Sequence, residues 1–464
     1  MTNDQNSDLN ATNQVISADT RGARPLIAQP ESEGKDSEVV VLRKSVPLRA
    51  LPAPQRQGAT GISDFINGYV KYADVIEAPP EAHEAVAIRL LASVLNPRVH
   101  IENGALRIPL DLWLLLLSSS GLGRNTLVNL MGPILDAAGL NGVLLNTTWG
   151  SKQAFYQRTA EHPTGLLVWP EMAAVLKNLA DSRFAGVKEW LTDRYDNWTI
   201  PEEIRYRDTG SASDTPTISF KSAPRLNILA TSSFDWFINN LAQEDTTGGF
   251  VPRWILAKLR STTKLVPIPK NTDGEMIKPL AEHLHRASEL KGVADISAVA
   301  SEYDCWYRET YRRFSGQPNR ALAIPFFNRL RTHVLKLALV YEVSQSLTLR
   351  VSAASMQRAI EAARNAEQTI FFLLPTGLSR EGAEVDKIAR QIQATGPQGL
   401  RRSELTHGFQ HVRASDRESR LHTLVEGGDV HRFRRTTAGR SAEVLIHRDH
   451  VGEHTKLFPE DREW

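Results

Sequence analysis

Continuous apolar runs alternate with 3.6-residue stripes through the middle of the chain, and together they predict an α/β fold. Residues 1 to about 58 carry scattered Asn, Asp, Ser, Gln and Pro with little periodicity, which predicts a disordered tail. Its one short apolar piece, 39–42, is expected to have no role of its own, the alternative being docking on the body or on a partner. From 62 to 94 the pattern is helical. Ser63 is placed to cap a helix carrying Phe65, Ile66, Tyr69 and Val70, and Pro79-Pro80 opens a second helix with Val86, Leu90, Leu91 and Val94 on one stripe. The run 113–117 is apolar throughout, as expected of a strand covered on both faces. It leads through a glycine-containing turn into a helix with Leu127, Leu130, Ile134 and Leu135. Strand-like runs recur at 142–145, 166–169 and 226–230, and the polar stretch 205–219 predicts a hairpin or a mobile loop. From 274 to 374 nearly everything reads as helix, with the strongest stripe at 326–341, through Leu330, Val334, Leu337 and Tyr341.

A break at 375–379 precedes a last unit. It begins with a helix, with Val385, Ile388, Ile392 and Leu400 as the first core stripe, and a short helix holding Ser403, Glu404 and Leu405. A third helix, capped by Ser415 or Asp416, carries Leu421, Leu424 and Val425 and ends at Gly427-Gly428. Strands at 430–435 and 443–447 complete the order of a winged helix.

Composition narrows the class. A chain of 464 residues, 41% hydrophobic and 23% charged, is an ordinary globular protein of roughly three folding units. A net charge of +2 gives no argument for nucleic acid, which needs a local basic patch. The single cysteine, Cys305, excludes an internal disulfide and a cysteine-ligated zinc, and is expected to pack half-buried on a helix beside Trp306. One cysteine fits a reducing compartment, and the longest apolar run, 112–117, is far too short to span a bilayer. A cytoplasmic protein without a membrane partner is the expectation.

The chemistry begins at Ser118-Ser119-Ser120-Gly121-Leu122-Gly123-Arg124-Asn125-Thr126, directly after a buried strand and directly before a helix. That is the setting of a phosphate-binding loop, in which glycines let backbone N–H groups face phosphate oxygens at a helix start. The spacing G-x-x-x-x-G-K-[ST] falls on Ser118, Gly123, Arg124 and Asn125, so arginine stands for the lysine and asparagine for the hydroxyl, with Thr126 one residue late. The alternative is a glycine-rich turn with no ligand. Farther on, Gly165-Leu166-Leu167-Val168-Trp169-Pro170-Glu171 is an apolar strand ending in an acid. Pro170 occupies the place of a metal-binding Asp, and Glu171 is either the group that orients an attacking water or a helix-terminal carboxylate. The strand 226–230 ends in Thr231-Ser232-Ser233, where Thr231 is the candidate γ-phosphate sensor and Ser232 or Ser233 a candidate helix cap. After Gly248-Gly249, Arg253 is a candidate arginine finger reaching a neighbouring subunit, or a solvated surface arginine.

In this order the pieces resemble the helicase-like P-loop ATPase family of phages, plasmids and integrated elements, a domain of unknown function that often accompanies primase-polymerase modules. The resemblance runs from about 65 to 374. It is carried by Ala78-Pro79-Pro80-Glu81, the loop 114–126, the strand 166–171, Gly248-Gly249-Phe250-Val251-Pro252-Arg253 and the basic helix 329–338. It implies a RecA/AAA-like core binding ATP with Mg²⁺ between subunits of a homo-oligomer. It also implies Arg253 as a trans-acting finger, Arg329 or Lys336 as a sensor from a helical lid, and a primase or replication partner. Arg124, Asn125 and Pro170 depart from the family pattern. Losing one transition-state contact commonly costs about 10² to 10³ in rate, so a fast motor is not expected. The implied division is a tail (1–58), a helical N-terminal region (59–110), a P-loop NTPase-like core (111–273), a helical lid (274–378) and a winged helix (379–464).

In the last unit, Arg413, Arg417 and Arg420 fall near the start of the third helix, and Arg432, Arg434, Arg435 and Arg440 on the wing. The first group is placed for a major groove and the second for phosphates, although many winged helices bind protein instead. His407, His411, His422, His431 and His447 lack zinc-site spacing. The leading expectation is an ATP-dependent, helicase-like DNA-binding protein. A non-hydrolysing DNA-binding adaptor or replication initiator on a P-loop scaffold is the rival, and a nucleotide-gated assembly switch a third.

Overall fold

The computed structural model describes residues 62–463 apart from 97, 119–125, 146–148, 202, 206–216, 242, 261–263, 270, 377, 379, 411 and 437–440. The tail expected at 1–58 lies outside the described residues.

Two helices open the chain. The carboxylate of Asp64 accepts the Asn67 N–H at 3.0 Å and so starts α1 (Phe65–Ala73), which makes Asp64, and not Ser63, the cap. Proline in the first turn starts α2 (Pro80–Leu95), a helix buried around nearly its whole circumference rather than along one stripe. The N-terminal region is not wholly helical. β1 (Val99–Asn103) and β2 (Leu106–Pro109) form an antiparallel ribbon that turns through Gly104, at φ +61°.

A parallel sheet organises the centre. Its strands are β3 (Trp113–Ser118), β4 (Thr164–Trp169), β5 (Arg225–Ser233) and β6 (Trp254–Lys258), in the order β4-β5-β3-β6. Their near-continuous burial matches the apolar runs of the sequence. Trp113, Trp169 and Trp254, each at most 2% exposed, reach along one face, with ring centroids 5.4 Å apart for Trp113–Trp254 and 5.6 Å for Trp169–Trp254. Burying a large side chain contributes about 1.5–3 kcal/mol, so this stack is a main source of cohesion. The run expected as a strand at 142–145 is a helical turn, Asn141–Val143, followed by a single parallel bridge from Leu144 to Leu166. The helix expected across Leu127–Leu135 is two pieces, α3 (Thr126–Asn129) and α4 (Gly132–Ala138), because Pro133 has no N–H for a continuous ladder and starts a new turn. Around the sheet stand α5 (Lys152–Glu161), α6 (Met172–Leu179), α7 (Val187–Arg194) and α8 (Phe234–Asn239). Of the stretch expected as a hairpin or loop, 206–216 lie outside the described residues, and the flanks Ile204–Arg205 and Thr217–Ile218 pair antiparallel.

The helical stretch contains α9 (Gly274–Glu289), α10 (Ala300–Ser315), α11 (Arg320–Ser346) and α12 (Ala353–Leu373), but also a strand, β7 (Gly292–Ala294), which pairs parallel with β1. Cys305 is exposed on α10, not half-buried. The turn from α11 to α12 is held by Glu342. Its carboxylate accepts the Ser352 N–H at 3.0 Å and the hydroxyls of Ser346, Ser352 and Ser355 at 2.6, 2.5 and 2.8 Å.

The last unit follows as α13 (Arg380–Ala394), β8 (Leu400–Arg401), α14 (Arg402–Gly408), α15 (Ala414–Glu426), β9 (Val430–Arg435) and β10 (Ala442–His447). β10 pairs antiparallel with both β9 and β8. α15 starts at Ala414 with no side-chain cap, so Ser415 and Asp416 lie inside its first turn. Leu400 belongs to β8, not to the helix before it. A helix α16 (Val451–Leu457) and a strand β11 (Arg462–Glu463), which pairs with β9, were not foreseen.

Gly165 fixes the edge of the sheet. At φ +152°, an added Cβ would stand 2.7 Å from the Val143 carbonyl oxygen and 2.8 Å from Leu145 Cγ. Gly165→Ala is expected to cost about 2–3 kcal/mol in a urea unfolding curve. Gly142→Ala, where an added Cβ meets nothing within 4 Å, should be near neutral. Equal midpoints for the two variants would contradict the packing at this edge.

Candidate functional site

Parallel strands put the residues that follow them on one edge of the sheet. At this carboxyl edge β3 ends at Ser118, β4 leads to Glu171, β5 ends in Thr231-Ser232-Ser233 and β6 ends at Lys258. Gly121, Gly123, Arg124 and Asn125 lie outside the described residues, and Thr126 opens α3 just beyond them. Glu171 is the N-cap of α6, its Oε1 accepting the Ala173 N–H at 3.4 Å. The same oxygen accepts the Ser232 hydroxyl. Thr231, 3% exposed, donates its hydroxyl to the Pro170 carbonyl at 2.5 Å. Alternation along β5 thus puts the Ser232 hydroxyl on Glu171 and the Thr231 hydroxyl on the Pro170 carbonyl. Ser233 stands at the cap of α8 without a side-chain bond. In the run Thr-Ser-Ser no sequence signal distinguishes these roles. Lys258, missed in the sequence, shares this edge, its register partner on β3 being Leu117.

The other expected cations lie at the opposite, amino edge. Asp111 precedes β3 and forms a 2.5 Å ion pair with Arg225, which opens β5; both side chains are at most 2% exposed. Arg225 also donates to the carbonyls of Arg194, Tyr195 and Asn197, and Asn96 Nδ2 donates to Asp111 at 2.8 Å. Lys336, with an exposure of 0%, donates from Nζ to the Asp111 carbonyl at 2.8 Å and lies 3.6 Å from Asp196. A wholly buried ammonium bound to a backbone carbonyl is not available to a nucleotide, so Lys336 is a structural cation and not the expected sensor. Arg329 pairs with Asp196 on this same edge. Arg253 does not extend from a flexible glycine pair. Its Nη1 donates to the Gly249 carbonyl at 2.7 Å, and Gly249, at φ +80°, leaves the space that a Cβ would take from that guanidinium. Burial first, and then Arg329, push the Arg253 guanidinium down to about 10. Five- and six-residue parallel strands separate the two edges by about 15–20 Å. Arg253 and Arg329 therefore do not reach Glu171 of their own chain.

The expected basic face of the last unit is largely neutralised. Residues 380–464 contain fifteen Lys and Arg against fourteen Asp and Glu, so the unit has no large positive excess. Arg420 pairs with Glu384, Arg432 with Glu418 and Glu443, and Arg435 with Asp461 at 2.8 Å while covering the Phe458 ring. Arg417 donates to the Phe409 and Val412 carbonyls at 3.1 and 3.3 Å. Arg413 and Arg434 are exposed and have no carboxylate partner among the described residues, and Arg440 lies outside them.

No protein-family model matches the chain, and no curated protein matches it. Among the described residues no group of three or more His, Cys, Asp and Glu is placed to hold a metal ion, and no helix is long and apolar enough to cross a membrane.

The Asp111–Arg225 pair gives a direct test of the amino edge. Asp111→Ala leaves a buried guanidinium without its counter-ion, and a loss of about 3–5 kcal/mol in chemical unfolding is expected. Replacing both residues by apolar ones (Asp111→Leu with Arg225→Met) should cost less than Asp111→Ala alone. A double variant weaker than the single one would show that the pair is not the source of the loss.

Proposed function

We propose that the chain is an ATP-dependent, helicase-like DNA-binding protein of a mobile element, acting in replication or a related DNA transaction through a divergent P-loop site. One observation carries the reading. The polar strand β5 lies between the loop strand β3 and the acid strand β4, and Ser232 at its end is bonded to Glu171. In an open α/β sheet ligands bind outside the carboxyl ends of the strands, and here the end of the loop strand at Ser118, the acid and a hydroxyl lie on that edge. The helix–strand–helix–helix–ribbon order after α12, with β8 added to the ribbon, supports the winged-helix reading.

In this reading the loop 118–126 holds the phosphates, Arg124 in place of lysine, and Glu171 orients water once Ser232 releases it. Pro170 offers no carboxylate to Mg²⁺, so the metal would rely on the nucleotide and on Thr126, and turnover is slow. Arg253 and Arg329, one strand length from their own Glu171, can serve only a second copy's site, which requires a homo-oligomer. Titration calorimetry with Mg²⁺ and ATP should give micromolar binding that Arg124→Ala removes, and hydrolysis that exceeds that of Glu171→Gln. The absence of binding in the unaltered protein would reduce the core to a scaffold.

The non-hydrolysing adaptor or initiator is favoured by a specific observation: Glu171 both caps α6 and accepts Ser232, which occupies the group that hydrolysis needs. Binding without turnover, with no change in oligomer size, supports that reading; a nucleotide-dependent change in size supports an assembly switch. For the DNA claim, Arg413 and Arg434 are, of the expected arginines, those exposed without a carboxylate partner among the described residues. Arg413→Ala with Arg434→Ala should lower the slope of log affinity against log salt by about two. A slope that stays at the unaltered value removes these residues from the interface.

A further inference from the structure

We infer that a phosphate chain at the carboxyl edge is held between Lys258 of the sheet and Arg390 of the C-terminal unit, so that the ligand clamps that unit onto the core. The inference rests on the nucleotide reading and assigns the cations that Lys336 and Arg329 do not supply there.

The geometry starts from β6. The Lys258 N–H donates to the Thr369 hydroxyl at 3.1 Å, which fixes the end of β6 against the last turns of α12. Three residues on, Phe372 offers its ring: Lys258 Nζ lies 3.8 Å from the centroid, and the Arg390 guanidinium 4.3 Å. The two cations are therefore at most about 8 Å apart, each in a favourable position over an aromatic face. Phe234 at the start of α8 meets the same ring, with centroids 5.0 Å apart, and Asp235 pairs with Lys387 at 2.9 Å. Lys387 and Arg390, three residues apart, share one face of α13. That face thus touches α8, which follows β5, and Phe372 of α12, the helix against which β6 ends; β5 and β6 flank β3.

The charge at this junction is unbalanced. Arg390 has a carboxylate on its own helix, Asp386 at 2.5 Å, and Lys387 has Asp235. Lys258 is exposed and pairs with no carboxylate among the described residues. Burial, and then Arg390, push its ammonium below the ordinary lysine range. A ligand with several negative charges relieves the repulsion of Lys258 and Arg390, and a longer phosphate chain does so better than a short one.

The experiment is calorimetry on the full chain with ATP, ADP and AMP, using Lys258→Gln, Arg390→Gln, the double variant, and Lys456→Gln as a charge-matched control elsewhere on the unit. Circular dichroism checks folding, and hydrogen exchange follows α13. Expected are a loss of about tenfold or more in ATP affinity for each junction variant, a flattened preference for ATP over AMP, and slower exchange in α13 on adding ATP only when both residues are present. ATP binding that is equal in the double variant overturns the clamp and leaves the nucleotide reading intact. An unaltered protein that binds no ATP overturns both. Loss of DNA affinity in the double variant with ATP affinity unchanged assigns the two cations to DNA phosphates and also overturns it.

Discussion

Chain direction in the four-stranded sheet governs the placement of the charged groups around the core. All four strands run the same way, so residues before them collect on one edge and residues after them on the other. Asp111, Arg225 and Arg253 are of the first kind; Ser118, Glu171, Ser232 and Lys258 are of the second. No side chain spans the length of a strand, so the two sets do not cooperate within one chain. A parallel sheet also leaves its carboxyl edge as the open crevice, which is why the polar residues there remain the candidates for chemistry.

The amino edge is closed by electrostatics. Removing an ion from water costs several kcal/mol even after relaxation, and only close counter-charges and hydrogen bonds offset it. Asp111, Arg225 and Lys336 meet that demand together, through the 2.5 Å pair and the carbonyls around it. Their partners come from α7's end, from β5 and from α11, so the same bonds that satisfy the charges dock the long helix against the strand starts. Arg329 and Asp196 extend the knot towards the surface. The role of Arg225 and Lys336 is accordingly architectural.

How far the sequence is legible follows from range. The strands β3, β4 and β5 are visible because both faces are covered and the runs are apolar. The ribbon β1–β2 is not, since Glu102 through Arg107 are exposed and polar residues interrupt its pattern. Nor is β7, whose partner β1 is far away in sequence. The 142–145 run looks like a strand but makes only one bridge. Glu171 is legible as an acid ending a strand, whereas the choice of Ser232 over Thr231 depends on one residue of alternation. In the C-terminal unit the arginines are plain, but their carboxylates are not. Glu418 serves Arg402 and Arg432 from another element, and Asp461 reaches Arg435 because β11 pairs with β9.

Those pairings sort the arginines by what it takes to free them. Exposed ion pairs are worth about 0–1 kcal/mol, so a phosphate can displace the half-exposed Glu418 from Arg432 at small cost. Arg435 is different: Asp461 is only 5% exposed, and the guanidinium also covers Phe458. Arg417 secures two carbonyls at the turn before α15. These two hold the unit together. The helix α13 joins this unit to the core because it is two-faced. Ile388 and Ile392 pack with Leu405, Leu421 and Leu424 inside the unit, while Lys387 and Arg390 meet Asp235 and Phe372 of the core. A helix that is at once the first core element of one unit and a partner of α8 and α12 of the core cannot shift without both sensing it. That shared helix gives events at the carboxyl edge a physical route to the surface carried by α15 and the ribbon.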